Sequence, residues 1–405
     1  MSLQDTPRAG RLHIGLFGKR NAGKSSLVNA LTNQKISLVS DVAGTTTDPV
    51  YKSMEIHGIG PCVFIDTAGF DDTGALGKQR VEQTVKAMEK TDVAVMLFSQ
   101  EPDDEENKWL ALLKKQNTPV IPVINKADIL ANIDALSASV ASACQREPVV
   151  VSAVTGQGID KLRQALVESV PDELTEITIT GSLVGENDLV LLVMPQDIQA
   201  PKGRLILPQV QTLRELLDKK CIVMSVTTDK LTQALDSLSR PPKLIITDSQ
   251  VFKAVYERKP PQSRLTSFST LFAQYKGDID YFVKSTQALE LLGENGRVLI
   301  AEACTHVPLK EDIGREKIPK LLRKRYGEKL TIDHVNGADF PRDLSGYDLV
   351  IHCGACMFNR RYVLSRVAQA KEQRVPMTNY GVVLAYLSVS YTHLRAHETD
   401  SYLVC

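Results

Sequence analysis

Short apolar runs recur along the chain, and many of them are followed by a stretch with helical spacing. Early runs span Arg11 to Phe17, Cys62 to Ile65, Val120 to Ile124 and Pro148 to Val151. Runs that are apolar throughout, rather than alternating, predict strands of a parallel sheet covered on both faces. The pattern continues past Pro171. Asp188 to Met194, Cys221 to Val226 and Lys243 to Thr247 read as strands, with helices at Gln209 to Leu217 and Thr232 to Leu238. Farther on, Arg297 to Ala303 and Asp348 to Ile351 read as strands and Asn359 to Lys371 as a helix. Strands alternating with helices predict an α/β protein. Its first part is a doubly wound, mostly parallel sheet, followed by two smaller α/β domains. Prolines at 195, 201 and 208 and the pairs 241–242 and 260–261 punctuate the middle stretch. The expected divisions are 1–171, 172–262 and 263–387.

Composition narrows the function classes. At 405 residues the chain exceeds one compact domain. Lys plus Arg and Asp plus Glu balance at 48 each, which gives no electrostatic footprint for nucleic acid or an anionic membrane. No apolar run reaches the roughly 18 residues of a membrane span, and Met1 to Gly10 lacks the apolar core of a signal peptide. Seven cysteines, an odd number without a secretory signal, argue against a disulfide framework and for a reducing cytoplasm.

The first run leads into Gly18-Lys19-Arg20-Asn21-Ala22-Gly23-Lys24-Ser25, which matches G-x-x-x-x-G-K-[ST]. In such a loop successive backbone N–H groups, including those at Ala22, Gly23 and Ser26, curl round phosphates. Lys24 reaches the β- and γ-phosphates, and the Ser25 hydroxyl ligates Mg²⁺. Three later pieces select the base and complete the site. Asp66-Thr67-Ala68-Gly69 can hold Mg²⁺ through water at Asp66 and sense the γ-phosphate at the Gly69 N–H. In Asn125-Lys126-Ala127-Asp128, Asp128 can accept guanine N1–H and the exocyclic amine, a pairing adenine lacks. Ser152-Ala153 can donate a backbone N–H to guanine O6. All four pieces follow strands, where open α/β sheets bind ligands. The expectation is a P-loop GTPase with GTP and Mg²⁺.

Arg11 to Val170 resembles the GTPases of the Era and TrmE type. That resemblance implies that Gly44 to Asp48 is the first switch, with Thr46 a Mg²⁺ ligand in the GTP state. Phe70 follows Asp66 to Gly69 where Ras-like proteins carry a water-orienting glutamine, so slow intrinsic hydrolysis is expected. Asn21 stands where potassium-dependent members ligate K⁺. The alternative for Asn21 is a loop residue that tolerates a left-handed turn.

Two cysteine–histidine pieces lie near the end of the chain. Cys304 and His306 form C-x-H, and after 45 residues His352, Cys353 and Cys356 form H-C-x-x-C. Each piece follows an apolar strand, so two strand ends side by side would bring them together. Gly354 is expected to relax the backbone between Cys353 and Cys356. Thiolates and imidazoles at this spacing are soft metal ligands. Three cysteines with one histidine would suit structural zinc. Three cysteines with an exchangeable fourth ligand would suit a [4Fe-4S] cluster with an open iron. Spacing alone leaves both open. Cys62, Cys144 and Cys221 stand singly on apolar segments and read as buried packing residues.

A GTPase domain, a middle domain and C-x-H…H-C-x-x-C in that order resemble the HydF family of [FeFe]-hydrogenase maturation GTPases. The resemblance runs to about Leu387. It implies a [4Fe-4S] cluster on Cys304, Cys353 and Cys356, with His352 or His306 a replaceable fourth ligand. It further implies a scaffold that passes a diiron precursor to the apo-hydrogenase, two radical-SAM maturases as further partners, and a middle domain that dimerises. The competing expectation is an RNA-modification or ribosome-assembly GTPase with structural zinc. Residues 388–405 are polar and aperiodic and resemble a translated sequencing-adapter read. They are expected to be non-native, so His393, His397 and Cys405 are set aside as ligands.

Overall fold

The computed structural model describes residues 10–32, 49–56, 58–70, 74–171, 177–195, 205–303, 313–337, 339–355 and 358–388, the side chains of 74–78 and 388 excepted. They fall into two compact units divided after residue 176.

The first unit is built on a six-stranded sheet: β1 (Leu12–Gly18), β2 (Val50–Ile56), β3 (Gly60–Asp66), β4 (Val93–Phe98), β5 (Val120–Ile124) and β6 (Val149–Val150), in the order β2-β3-β1-β4-β5-β6. The inner strands are parallel, and β4 is buried at every position, as a strand covered on both faces must be. β2 is the exception. It runs antiparallel along the edge, and its inward positions alternate with exposed ones. Among the described residues, one face of the sheet carries a core around Leu16, Leu27, Phe64 and Leu162, and the other a core around Phe17, Met96, Trp109 and Val140. The chain passes from β1 to β3 on one side and then crosses to β4 on the other. The turn after β1 therefore lies at a topological switch point, where doubly wound sheets take their ligands.

The second unit carries two four-stranded parallel sheets. The first contains β7 (Leu189–Val193), β8 (Ile222–Val226), β9 (Leu244–Thr247) and β10 (Arg264–Ser267) in the order β10-β9-β7-β8. The second contains β11 (Arg297–Glu302), β12 (Thr331–Asn336), β13 (Leu349–His352) and β14 (Met377–Asn379) in the order β12-β11-β13-β14. The boundary expected at 262 falls short of the middle sheet's end. β10 pairs with β9 from Arg264 to Ser267, and the helix that follows, Phe268–Lys276, packs Phe268, Leu271 and Phe272 into the same core. β10 has a mixed sequence, Arg-Leu-Thr-Ser, so its apolar signal is weak. The same helix places Ala273 in the core of the second sheet, so it joins the two layers.

Candidate nucleotide site and cysteine loop

The nucleotide loop is shaped by residues that only a narrow backbone geometry accepts. Gly23 has φ +90°, and a Cβ there would come within 2.2 Å of Asn125 Nδ2. Gly18 likewise has φ +148°, with the Leu97 carbonyl 2.7 Å from a built Cβ. Asn21 is left-handed at φ +62°, which matches its reading as a turn residue. Lys24 is buried and donates to the carbonyls of Gly18 and Lys19, each at 2.8 Å, so its ammonium is held along the inside of the loop.

The separate motif pieces meet here. Asn125, 2% exposed, donates from Nδ2 to Ala22 O at 2.9 Å and accepts at Oδ1 from the Ala153 N–H at 3.2 Å. One side chain thus ties the phosphate loop to the Ser152-Ala153 turn. The Ser152 hydroxyl donates to Asp128 Oδ1 at 2.6 Å and accepts from the Thr155 N–H. This aims an exposed carboxylate, while Lys126 takes φ +64° to turn the chain beneath it. Asp66 is hydrogen-bonded to Ser25, which joins the two expected Mg²⁺ groups. Burial raises the Asp66 pKa, opposed by that hydrogen bond and by Lys24 and Lys52. The Thr67 hydroxyl donates to Leu16 O at 2.5 Å and Gly69 is buried, which fixes the segment after β3. Phe70 is buried and stacked on Trp109 with ring centroids 5.4 Å apart, so it is a core residue. Thr46 lies outside the described residues.

Two contributors carried no motif. Lys52 on β2 is 6% exposed, and its positive charge faces Asp66. Burial lowers its pKa, and Asp66 partly restores it. A lysine at an inward position of an alternating edge strand was the available signal. Lys19 donates to Asp103 at 2.6 Å and lies 3.1 Å from Glu106, so the capping box of the helix Asp104–Lys115 anchors the phosphate loop.

The second constellation forms where β11 and β13 end together. Their register pairs Ala301 with His352, and the Cys353 N–H donates to Ala301 O at 2.9 Å. Cys353 Sγ in turn accepts from the Ala303 N–H at 3.0 Å and the Ala355 N–H at 3.4 Å. Amide donors of this kind favour a thiolate over a thiol, as a metal-bound sulfur requires. Burial pushes Cys62 up to about 12 and Cys144 up to about 11, which keeps both as thiols. Cys304, His306 and Cys356 lie outside the described residues. Among the described residues, accordingly, no group of three potential ligands converges.

The left-handed residue of the loop is Ala355, φ +45°. Ala355 is itself buried in the core, which holds it in a conformation costly for a side chain. His352 has both ring nitrogens in hydrogen bonds within the protein. It is fully buried, with Nε2 2.9 Å from Arg366 Nη1 and Nδ1 2.7 Å from Cys353 O. A guanidinium can only donate, so Nε2 accepts and Nδ1 carries the proton to the Cys353 carbonyl. Burial and then the Arg366 charge lower the His352 pKa to about 3, partly opposed by the hydrogen bond to Cys353. Arg366 also donates to Gly337 O at 2.5 Å and to the Tyr362 hydroxyl, and lies over the rings of Tyr362 and Phe340. Arg366 gave no sequence signal beyond falling on the apolar face of its helix, with Tyr362, Val363 and Ala370.

Comparison with known proteins decides the family. Residues 179–277 match the profile described as the hydrogen maturase F dimerization domain, and residues 280–394 match the hydrogen maturase F tetramerization domain. The chain belongs to the HydF family. Residues 13–126 match a profile described as 50S ribosome-binding GTPase, so the first unit is a GTPase domain. Curated relatives include the tRNA modification GTPase MnmE of Bordetella parapertussis, 38% identical over 160 residues, covering 39% of this chain and 33% of that protein. GTPase Der of Wolinella succinogenes is 38% identical over 167 residues, covering 39% of this chain and 35% of that protein. The chain thus spans about a third of the length of these relatives. Among solved structures, Era of Aquifex aeolicus bound to GDP·AlF4⁻ shares 21% identity at a TM-score of 0.37, covering 53% of this chain and 92% of that one. The HydF profiles cover both sheets of the second unit. Their boundary between 277 and 280 agrees with the extent of the middle sheet and its last helix. No helix among the described residues is long and apolar enough to cross a membrane.

Proposed function

We propose that this HydF-family chain is a GTP-hydrolysing scaffold that holds a [4Fe-4S] cluster and hands a diiron precursor to an apo-[FeFe]-hydrogenase. The observation that carries this reading is the pairing of β11 with β13. It sets Cys353 beside Ala303, one residue before Cys304, with two amides donating to its sulfur. Cys304, Cys353 and Cys356 would hold the cluster, and its remaining iron would supply an open position for a bridging ligand of the diiron cargo. Because His352 is engaged at both nitrogens, the replaceable fourth ligand falls to His306. The cargo would come from two radical-SAM maturases, and the chain would act as an oligomer in the cytoplasm.

In the first unit, Lys24 neutralises the β- and γ-phosphates, and Ser25, Asp66 and Thr46 hold Mg²⁺. The Gly69 N–H meets the γ-phosphate, while Asp128, Asn125 and the Ala153 N–H read guanine. With Phe70 committed to the core, no side chain at that position orients water, so hydrolysis without a partner is slow. A K⁺ ion beside Asn21 would supply charge to the transition state; equal rates in KCl and NaCl would remove it from the scheme. The alternative, a ribosome- or tRNA-directed GTPase with zinc, draws on the names of the relatives over the first unit. The hydrogen maturase F profiles over the second unit weigh against it.

The deciding experiment is anaerobic reconstitution with iron and sulfide followed by EPR of the reduced protein. About four irons per chain and an S = 1/2 signal lost in Cys353→Ala are expected. Stoichiometric zinc with no such signal would overturn the reading.

A further inference from the structure

The helix Phe268–Lys276 closes the region matched by the dimerization profile, and the cysteine loop belongs to the region matched by the tetramerization profile. They are tied to each other in both directions. From the helix, Lys276 Nζ donates to Ala355 O at 2.9 Å and to Phe358 O at 2.8 Å. From the other side, Arg360 Nη1 donates to the carbonyls of Gln274, Tyr275 and Gly277 at 3.2, 2.7 and 3.1 Å, where the helix ends. Lys276 is 2% exposed, with its ammonium 5.8 Å from the Phe272 ring centroid. Burying a lysine is costly unless its charge is used, and here it is spent on two carbonyls of one short loop. The same loop carries the left-handed Ala355, a conformation that persists only where its surroundings enforce it.

We propose that Lys276 is a positioning residue for the metal-binding loop, so that the last helix of the middle domain sets the geometry at Cys353. This rests on the reading of these cysteines as cluster ligands. It makes that geometry depend on a helix that also packs in the core of the middle sheet through Phe268, Leu271 and Phe272. A change in assembly of the middle domain then has a direct physical route to the loop.

The test uses the full chain with Lys276→Met, an isosteric loss of the charge, and Lys276→Arg, which retains it. Circular dichroism and oligomeric size serve as folding controls. The first readout is the alkylation rate of Cys353 by iodoacetamide in cluster-free protein, located by peptide mass spectrometry. In K276M it should shift by about tenfold in either direction, the equivalent of one charged hydrogen bond, and return toward wild type in K276R. The second readout, after reconstitution, is iron content and the EPR line shape, both expected to change in K276M. Unchanged alkylation and an unchanged EPR signal in folded K276M would overturn the proposal. If K276M does not fold, Arg360→Gln cuts the reverse tie; an altered rate of Cys353 alkylation there supports the proposal, and an unaltered rate overturns it. A wild-type chain that takes up no cluster would sink the cluster reading but leave the alkylation comparison standing.

Discussion

The nucleotide loop and the cysteine loop both sit at the ends of parallel strands, yet they are stabilised in different ways. The nucleotide loop is held largely by its own glycines and by side chains from other named motifs, such as Asn125 bridging Ala22 and Ala153. The cysteine loop has only Cys353 and His352 as described motif members. It is held by Lys276 and Arg366, which belong to helices on either side of it in sequence. A phosphate-binding loop must present backbone N–H groups, so its conformation is written into local residue choice. A loop that is to hold a cluster, as proposed for this one, must present thiolates at defined separations, and no local rule supplies the groups that hold them there.

The largest expected effect separates the two sites. Lys24→Ala removes the charge proposed to meet the phosphates and should lower GTP hydrolysis by at least about a hundredfold. Cluster content after reconstitution should stay at the wild-type level. Loss of the cluster in this variant would show that the two sites are coupled and would break the comparison.

Arg366→Met should come next. It leaves His352 Nε2 and Gly337 O without their buried donor and removes the cation from between Tyr362 and Phe340. A destabilisation of about 3 kcal/mol is expected, followed in urea by circular dichroism. The single tryptophan, Trp109, lies in the core of the first unit and reports there. Its fluorescence transition should not move, and an equal shift of both signals would mean that the units unfold together.

Asp128→Ala tests the base-reading end of the nucleotide site. Loss of a charge-assisted pair should weaken GTP binding by about 2 kcal/mol, or roughly thirtyfold, without selecting against ATP as before. Retained discrimination would place guanine recognition elsewhere. The smallest effect is expected for Phe70→Leu. Its stacking on Trp109 contributes about 1 kcal/mol to stability, while the hydrolysis rate, measured by phosphate release, should be unchanged. A rate that falls with this substitution would give Phe70 a part in catalysis that its burial argues against.

Much of the architecture was legible in the chain. Strands such as Val120–Ile124 and Leu189–Val193 are apolar from end to end, and that pattern follows from burial on both faces of a parallel sheet. β10 was not legible, because Arg264, Thr266 and Ser267 leave it a single apolar residue, and the domain boundary was therefore drawn too early. The alternating, half-exposed β2 was missed for a related reason: an edge strand needs only one buried face.

The chemistry was determined by the sequence alone wherever it depends on residue type at short spacing. That covers the phosphate loop, the candidate base-reading carboxylate at Asp128 and the spacing within each cysteine–histidine piece, since each is read from a few neighbouring residues. Only the tertiary structure decided which distant groups meet. It placed Ala303 against Cys353, buried Phe70, bound both ring nitrogens of His352 within the protein, and put the left-handed turn at Ala355. Lys276 reaches the Ala355 carbonyl 79 residues away. A contact of that span depends on strand order and on how one helix packs across two cores, and no local preference of a lysine for its own neighbours encodes it.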